Sequence, residues 1–324
     1  MAQIIDSLAG NLLVPTILFF ALGLAAAFAR SDLSIPSGAA KFMSIYLLLA
    51  IGFKGGASLA QHGLSPDLFA TLAAGVLLSF VIPFVAFGLL KVMTRLNTLN
   101  AAALAGHYGS ISIVTFVTAT SLLELGGIAY EGYMVAVAAA MEVPAILSAL
   151  WLAHRRGGEQ QDTPKGLWRD LLANGSIVLL VGAFTIGAIT GEDGLATISP
   201  FIIGPFTGIL CLFLLDMGLA AGRSLISNRG QLTPGLFAFG VTMPVIGALM
   251  ALALARLTGL SDGGSFLFMV LAASASYIAV PAAMRIALPR AEPGIYLSMS
   301  LGVTFPFNIT VGLPLYLWLA QASG

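Results

Sequence analysis

Charged side chains are almost missing from this 324-residue sequence: 14 Lys and Arg and 14 Asp and Glu make up only 9%, against 58% hydrophobic residues. Mean hydropathy is +0.99. A soluble domain carries roughly 25% charged residues, so no water-facing surface can be built from this set. Cysteine is down to Cys211, set inside an apolar run. That excludes a disulfide framework and a thiolate metal cluster and leaves a small hydrophobe in a helix. A formal net charge of zero gives no argument for nucleic acid or for a polybasic lipid-binding tail. Catalytic and nucleotide-binding signatures are lacking as well: there is no His-Glu-x-x-His pair, no Gly-x-Ser-x-Gly elbow and no Gly-x-x-x-x-Gly-Lys-[Ser/Thr] loop. An enzyme is therefore not expected, nor is an ATP-driven pump in a single chain. Energy coupling must come from an ion gradient or from the substrate's own gradient. The start, Met1 to Pro15, carries Asp6 and no Lys or Arg, so it lacks the basic region that opens a secretory signal peptide and is expected to be retained.

What the sequence does have is apolar runs. A helix needs about 20 such residues to cross a bilayer, and runs broken by Gly, Pro and charges predict ten spans: 11–29, 37–60, 67–92, 98–122, 131–153, 170–190, 198–221, 234–258, 263–286 and 293–320. The expected fold class is an all-α polytopic membrane protein. The one extended polar stretch, 154–169, separates residues 1–153 from 170–324 and reads as a cytoplasmic linker between two five-helix halves. With the amino terminus outside, the inward loops and helix ends hold twelve of the fourteen Lys and Arg, and only Lys54 and Arg256 fall outward. Asp67, Glu124, Glu131, Glu192, Asp193 and Asp262 fall in the outward loops. This is the bias of the positive-inside rule, and it places both termini outside.

The halves echo one another. Gly-Leu-Ser-Pro-Asp-Leu-Phe-Ala at 63–70 returns as Gln-Leu-Thr-Pro-Gly-Leu-Phe-Ala at 231–238, 168 residues later, and 47–59 resembles 211–225, with Gly52 against Gly218 and Ser58 against Ser224. Glu142-Val-Pro144 sits opposite Thr304-Phe-Pro306. With five spans in each half, matched segments run in opposite directions. That is an inverted repeat, the symmetry from which many secondary transporters are built.

Two predicted spans are interrupted by small polar residues at corresponding depths, GHYGSISIVT at 106–115 and SASYIAVP at 274–281. Paired interruptions are a pointer to a transport site. A broken helix offers unpaired amides and the positive end of a half-helix dipole to an anion, and Ser and Thr hydroxyls add donors without a net charge. Gly109, Ser110, Ser112, Thr115, Ser274, Ser276, Tyr277 and Pro281 are the candidate substrate-binding residues. The competing reading is that small residues merely line helix contacts. Glu142 lies within the fifth span, where an ionisable group is costly enough to suggest function. With His107, Thr304 and Asn308 it forms the set of ion-coupling candidates, although Thr304 and Asn308 can equally satisfy carbonyls freed by a proline.

These segments resemble the cyanobacterial sodium-dependent bicarbonate symporter family over nearly the whole chain. The resemblance is carried by Ile35-Pro36 with Ile51-Gly-Phe-Lys-Gly-Gly56, by Ser121-Leu-Leu-Glu through Tyr130-Glu131 to Met141-Glu-Val-Pro-Ala145, and by Pro281, Arg285, Pro289, Pro293, Tyr296, Pro306, Gly312 and Pro314. It implies ten helices in a five-plus-five inverted repeat with broken fourth and ninth helices, a homotrimer in the bacterial inner membrane, and an elevator-like motion. It also implies a bicarbonate site between the broken helices, with a sodium ion as co-substrate near Ser112, Thr115, Ser274 and Ser276. The family's PII-like cytoplasmic regulator has less to hold in so short a linker. The sequence departs from the family pattern at Tyr277, where the family has Asp, and at Ala279, where it has Ser. Ile113 and Val114 replace Gly and Ser, and Glu142 stands for an Asp. The resulting expectation is sodium-dependent uptake of a small anion, bicarbonate. The alternatives are a proton-coupled or uncoupled permease for another small anion or carboxylate, and a non-transporting membrane receptor or scaffold.

Overall fold

The computed structural model describes residues 14–63, 65–157, 175–278, 280, 281, 283, 284 and 288–323. Helix is the only regular secondary structure among them: α1 (Pro15–Phe28), α2 (Ser37–His62), α3 (Pro66–Met93), α4 (Thr98–Gly109), α5 (Ile113–Leu125), α6 (Met134–Ala140), α7 (Pro144–Gly157), α8 (Gly175–Ile202), α9 (Phe206–Ser227), α10 (Pro234–Leu257), α11 (Asp262–Ala273) and α12 (Pro293–Ala322). Among the described residues eight helical stretches are long and apolar enough to cross a membrane, with α4–α5 and α6–α7 each counted as one. The other two predicted spans, 11–29 and 263–286, are represented by the shorter apolar helices α1 and α11. The predicted linker lies outside the described residues from position 158 on, and its first four residues complete α7. α8 is longer than predicted because it runs on past Gly191, whose φ of +57° breaks the helix direction.

The echoed Ser/Thr-Pro motif is a helix start. Ser65 Oγ accepts from the Leu68 amide at 3.2 Å and Thr233 Oγ1 from the Leu236 amide at 3.3 Å, each followed by a proline at the first helical position, where its missing N–H costs nothing. α4 and α11 match in the same way. Both have 12 residues, both are capped by a side chain (Asn97, Ser261), and both end on an extended serine, Ser110 or Ser274. At a rise of 1.5 Å per residue each reaches about 18 Å, roughly half the depth of a bilayer.

Two helix pairs pack backbone to backbone. α1 lies along α9 and α2 along α8. A Cβ on Gly218 of α9 would stand 2.8 Å from the Leu24 amide of α1, and one on Gly56 of α2 would stand 2.7 Å from the Ala188 amide of α8. Gly23 and Gly187 make the reciprocal approaches, to Leu219 of α9 and Ala57 of α2. Close approach through small residues is how helices associate where lipid removes the hydrophobic drive. The remaining helices form a second body tied by buried hydrogen bonds. Pro244 leaves the Gly240 carbonyl of α10 without its intrahelical donor, and Thr304 Oγ1 of α12 donates to it at 2.8 Å. Asn308 Nδ2 donates to the last carbonyl of α11, Ala273, at 2.8 Å. α12 itself widens to π-helical turns at Ser298–Thr304 and Asn308–Gly312.

Loops alternate between two ends. At one end Lys54 pairs with Glu124, Gln61 meets Glu192, and Glu131 accepts from Ser261. At the other, Arg223 donates to the Leu33 carbonyl and Asn100 to Glu292. The two cations that break the charge bias are each matched at the first end, Lys54 by Glu124 and Arg256 by Asp262 at 3.7 Å. That pairing is the physical reason they are tolerated there.

Candidate functional site

Both polar interruptions are real breaks. After Gly109 the chain is extended through Ser110 and Ser112, and α5 then starts with Ser112 as its cap: Ser112 Oγ accepts from the Thr115 amide at 3.3 Å and from Thr115 Oγ1 at 2.9 Å. After Ala273 the chain is extended at Ser274, and Ser276 Oγ accepts from the Val280 amide at 3.4 Å. In the first break Ser110 closes one half-helix and Ser112 opens the next, and in the second Ser274 closes α11. The first amides beyond such a cap have no intrahelical acceptor, which leaves Ile113 and Val114 at the start of α5 as donors.

The breaks are locked to each other. His107 Nδ1, as the protonated ring nitrogen, donates to the Ser276 carbonyl at 2.6 Å, and the Ser276 amide donates to the His107 carbonyl at 2.8 Å. Tyr296 stacks on the imidazole with centroids 4.6 Å apart. Both residues are buried, so this double bond is shielded from competing water.

A third break adds a carboxylate. α6 ends at Ala140 and α7 starts at Pro144, which cannot continue the preceding helix. The Met141 carbonyl freed there accepts from Ser79 Oγ of α3 at 2.6 Å. Glu142 sits in the gap, 8% exposed, and accepts from Ser110 Oγ at 2.9 Å through Oε2. Ser112, Ser276, Tyr277 and Glu142 line one cleft between this body and the α2–α8 pair, whose Leu48 and Leu180 form the facing wall. Its free space is about 420 Å³ counting the open mouth and the gaps between side chains, yet it has room for only roughly one water molecule. The lining runs out to Ser176 and Ile177, the first turn of α8. At the opposite end the Lys54–Glu124 pair spans the same two bodies.

The candidates from the sequence thus fall into two groups. Ser112, Ser276, Tyr277 and Glu142 line the cleft, with Ser110 and Thr115 one hydrogen bond behind them. The others sit elsewhere for identifiable reasons. Gly109 packs on Pro83 and on the Ser79 carbonyl of α3, Ser274 Oγ donates to the Val270 carbonyl of its own helix at 2.6 Å, and Pro281 is buried in a helical turn. Thr304 and Asn308 satisfy carbonyls of α10 and α11 rather than those freed by Pro306, and Thr304 also accepts from the Tyr108 hydroxyl at 2.6 Å. Sequence reasoning missed the cleft's other wall, Leu48, Ile177 and Leu180, because aliphatic residues in apolar helices carry no local mark of what they face.

Comparison with known proteins fits this geometry. A family model described as the Na+-dependent bicarbonate transporter superfamily matches residues 15–321. A search of curated proteins gives no match.

Proposed function

Since the chain belongs to the Na+-dependent bicarbonate transporter superfamily and is a multi-pass membrane transporter, we propose that it takes up bicarbonate with sodium as co-substrate. The observation that carries the reading is the meeting of two half-helix breaks and the Glu142 carboxylate in one narrow cleft. Free amides and hydroxyls there suit a small oxyanion, and Glu142 with the Ser110 and Ser112 hydroxyls offers the oxygen ligands that a hard cation takes. The matched caps, the two equal half-helices and the exchanged glycine contacts of α1–α9 and α8–α2 support a five-plus-five inverted repeat of ten helices. The charge bias supports a bacterial inner-membrane orientation with both termini outside. The same proposal includes the homotrimer, which light scattering of the purified protein tests.

The glycine-packed group α1, α2, α8 and α9 serves as the scaffold, and the hydrogen-bonded body carrying the breaks moves against it in an elevator-like cycle. In this arrangement the cleft is reached from the linker end and the Lys54–Glu124 pair holds the outer end shut. A part-exposed ion pair is worth about 0.2–1 kcal/mol. Lys54→Ala is therefore expected to raise outside labelling of a Ser112→Cys probe, in a background with Cys211 replaced, by up to about fivefold; an unchanged rate places the closure elsewhere.

Labelled bicarbonate uptake into proteoliposomes tests the whole reading. An inward sodium gradient is expected to accelerate uptake and a proton gradient alone to leave it unchanged. Uptake indifferent to both gradients removes symport. A second reading has a specific observation in its favour: Tyr277 leaves Glu142 as the only carboxylate among the described cleft residues, and drive by the proton gradient alone would establish a proton as the coupled ion.

A further inference from the structure

Two glutamates at opposite ends of the protein are used in the same unusual way. Each opens a helix with its backbone: the Glu131 carbonyl accepts from the Met134 amide at 3.0 Å where α6 starts, and the Glu292 carbonyl from the Ile295 amide at 3.2 Å where α12 starts. A carboxylate in that place ordinarily serves its own helix, whose first amides lack intrahelical acceptors. Here both carboxylates reach instead to the first turn of a half-helix from the other half of the chain. Glu131 Oε1 accepts from the Ser261 amide at 2.8 Å and Oε2 from Ser261 Oγ at 3.1 Å, while that same Oγ caps α11 by accepting from the Gly264 amide at 3.1 Å. Glu292 Oε1 accepts from Asn100 Nδ2 at 2.9 Å in the first turn of α4, and the Glu292 amide donates to Asn100 Oδ1 at 2.9 Å. Both fits are close. A Cβ on Gly263 would fall on the Ala129 carbonyl and one on Gly264 on the Glu131 carboxylate, and Asn100 is buried, so its amide is left unpaired if Glu292 withdraws.

We propose that Glu131 and Glu292 are a matched pair of positioning residues, each setting from one half of the chain where the break of the other half stands in the cleft. α4 and α11 are the half-helices that end in the two breaks, at Ser110 and Ser274. Their far ends meet through His107 and Ser276, and their starts are held by Glu292 and Glu131. Each half-helix is thus fixed at both ends by the opposite half. A helix of 12 residues is a stiff rod of about 18 Å, so a shift at its start is carried to its end. Ser112 and Ser276, which line the cleft, lie just past those ends. Neither glutamate lines the cleft itself. The inference rests on the transport reading for its effect on uptake, and on the hydrogen bonds alone for its effect on the breaks.

The test reads local opening separately from transport, on the full chain. Amide hydrogen exchange in detergent is expected to cross over: Glu131→Ala speeds exchange around Ser276 at least about threefold, and Glu292→Ala speeds it around Ser112. Glu292→Ala keeps its backbone bond to Asn100, so its effect is expected to be the smaller. In proteoliposomes Glu131→Ala is expected to raise the KM for labelled bicarbonate about tenfold, with Glu292→Ala acting in the same direction. Glutamine at either position keeps an acceptor oxygen and is expected to bring both readouts back to within about twofold of wild type. Where an alanine protein does not fold, Glu131→Asp and Glu292→Asp, which shorten the reach by one methylene, give the same readouts. Thr233→Ala removes a comparable cap from α10 and is expected to leave exchange around both breaks unchanged. Crossed exchange in a protein whose wild type takes up no bicarbonate refutes the transport reading and leaves the positioning roles standing. Exchange that rises only beside the substituted glutamate, an equal rise in Thr233→Ala, or glutamine variants no better than alanine overturns the inference.

Discussion

Replacing Ser112 and Ser276 together by leucine is expected to bring bicarbonate uptake below about 1% of wild type, the scale on which misplacing a ligand by about 1 Å acts, while the protein still inserts and purifies as a folded species. The cleft has room for only roughly one water molecule, and each leucine adds three carbons to its wall. Two smaller effects run in the same direction. Losing the Ser112 cap costs about 0.5–2 kcal/mol of local helix stability, and losing the Ser276 hydroxyl removes the acceptor of the Val280 amide. Serine-to-alanine at both positions separates the contributions, since it removes the caps but leaves the space. The alanine pair is expected to keep measurable uptake. Unaltered transport in the leucine pair would move the site out of this cleft, and loss of the folded protein in both pairs would make the serines purely architectural.

The largest effect on folding is expected at Gly56. Its Cβ would fall on the Phe184 carbonyl of α8, with the Ala188 amide 2.7 Å away. The obstacle is backbone, which cannot rotate aside as a side chain can. Overpacking ordinarily costs about 1–3 kcal/mol, and Gly56→Ala is expected at or beyond the top of that range, with a lower melting temperature and little monodisperse protein after extraction. Gly187→Ala, which meets Phe53 of α2 from the other side, is expected to behave alike. Gly88→Ala is the control. Nothing lies within 4 Å of its would-be Cβ, so its stability is expected to stay level or rise slightly, as glycine is the poorer helix former. A Gly56→Ala protein as stable as wild type would show that α2 and α8 can separate without penalty.

Much of this architecture could be read from residue types because the lipid constraint is severe. Apolar runs without charges have to be helices, and the Ser-Pro and Thr-Pro pairs at 65–66 and 233–234 carried the starts of α3 and α10 in plain view. Glu142-Val-Pro144 announced both a carboxylate and a helix break. What sequence left open was which polar group each hydroxyl would answer to. Thr304 and Asn308 flank Pro306, yet their partners are Gly240 and Ala273, more than 30 residues away along the chain. The Gly191 turn was hidden because glycine is common in these helices and only its positive φ distinguishes this one. His107 illustrates the same limit. A histidine near a helix break suggests proton chemistry; what the sequence could not give is that Nδ1 meets the Ser276 carbonyl while Nε2 has no partner among the described residues, an arrangement that only the three-dimensional pairing of the halves creates.

That reciprocal bond between His107 and Ser276 has a thermodynamic consequence. It joins the two breaks beside the cleft proposed to hold the anion, so a carrier that moved them together, as the proposed cycle has it, would present the same ligating atoms to either aqueous phase. On that proposal the intrinsic dissociation constant for the anion is expected to be nearly equal when measured from the two sides, with net accumulation following the gradient of the coupled ion and the membrane voltage rather than a high-affinity outer and a low-affinity inner state.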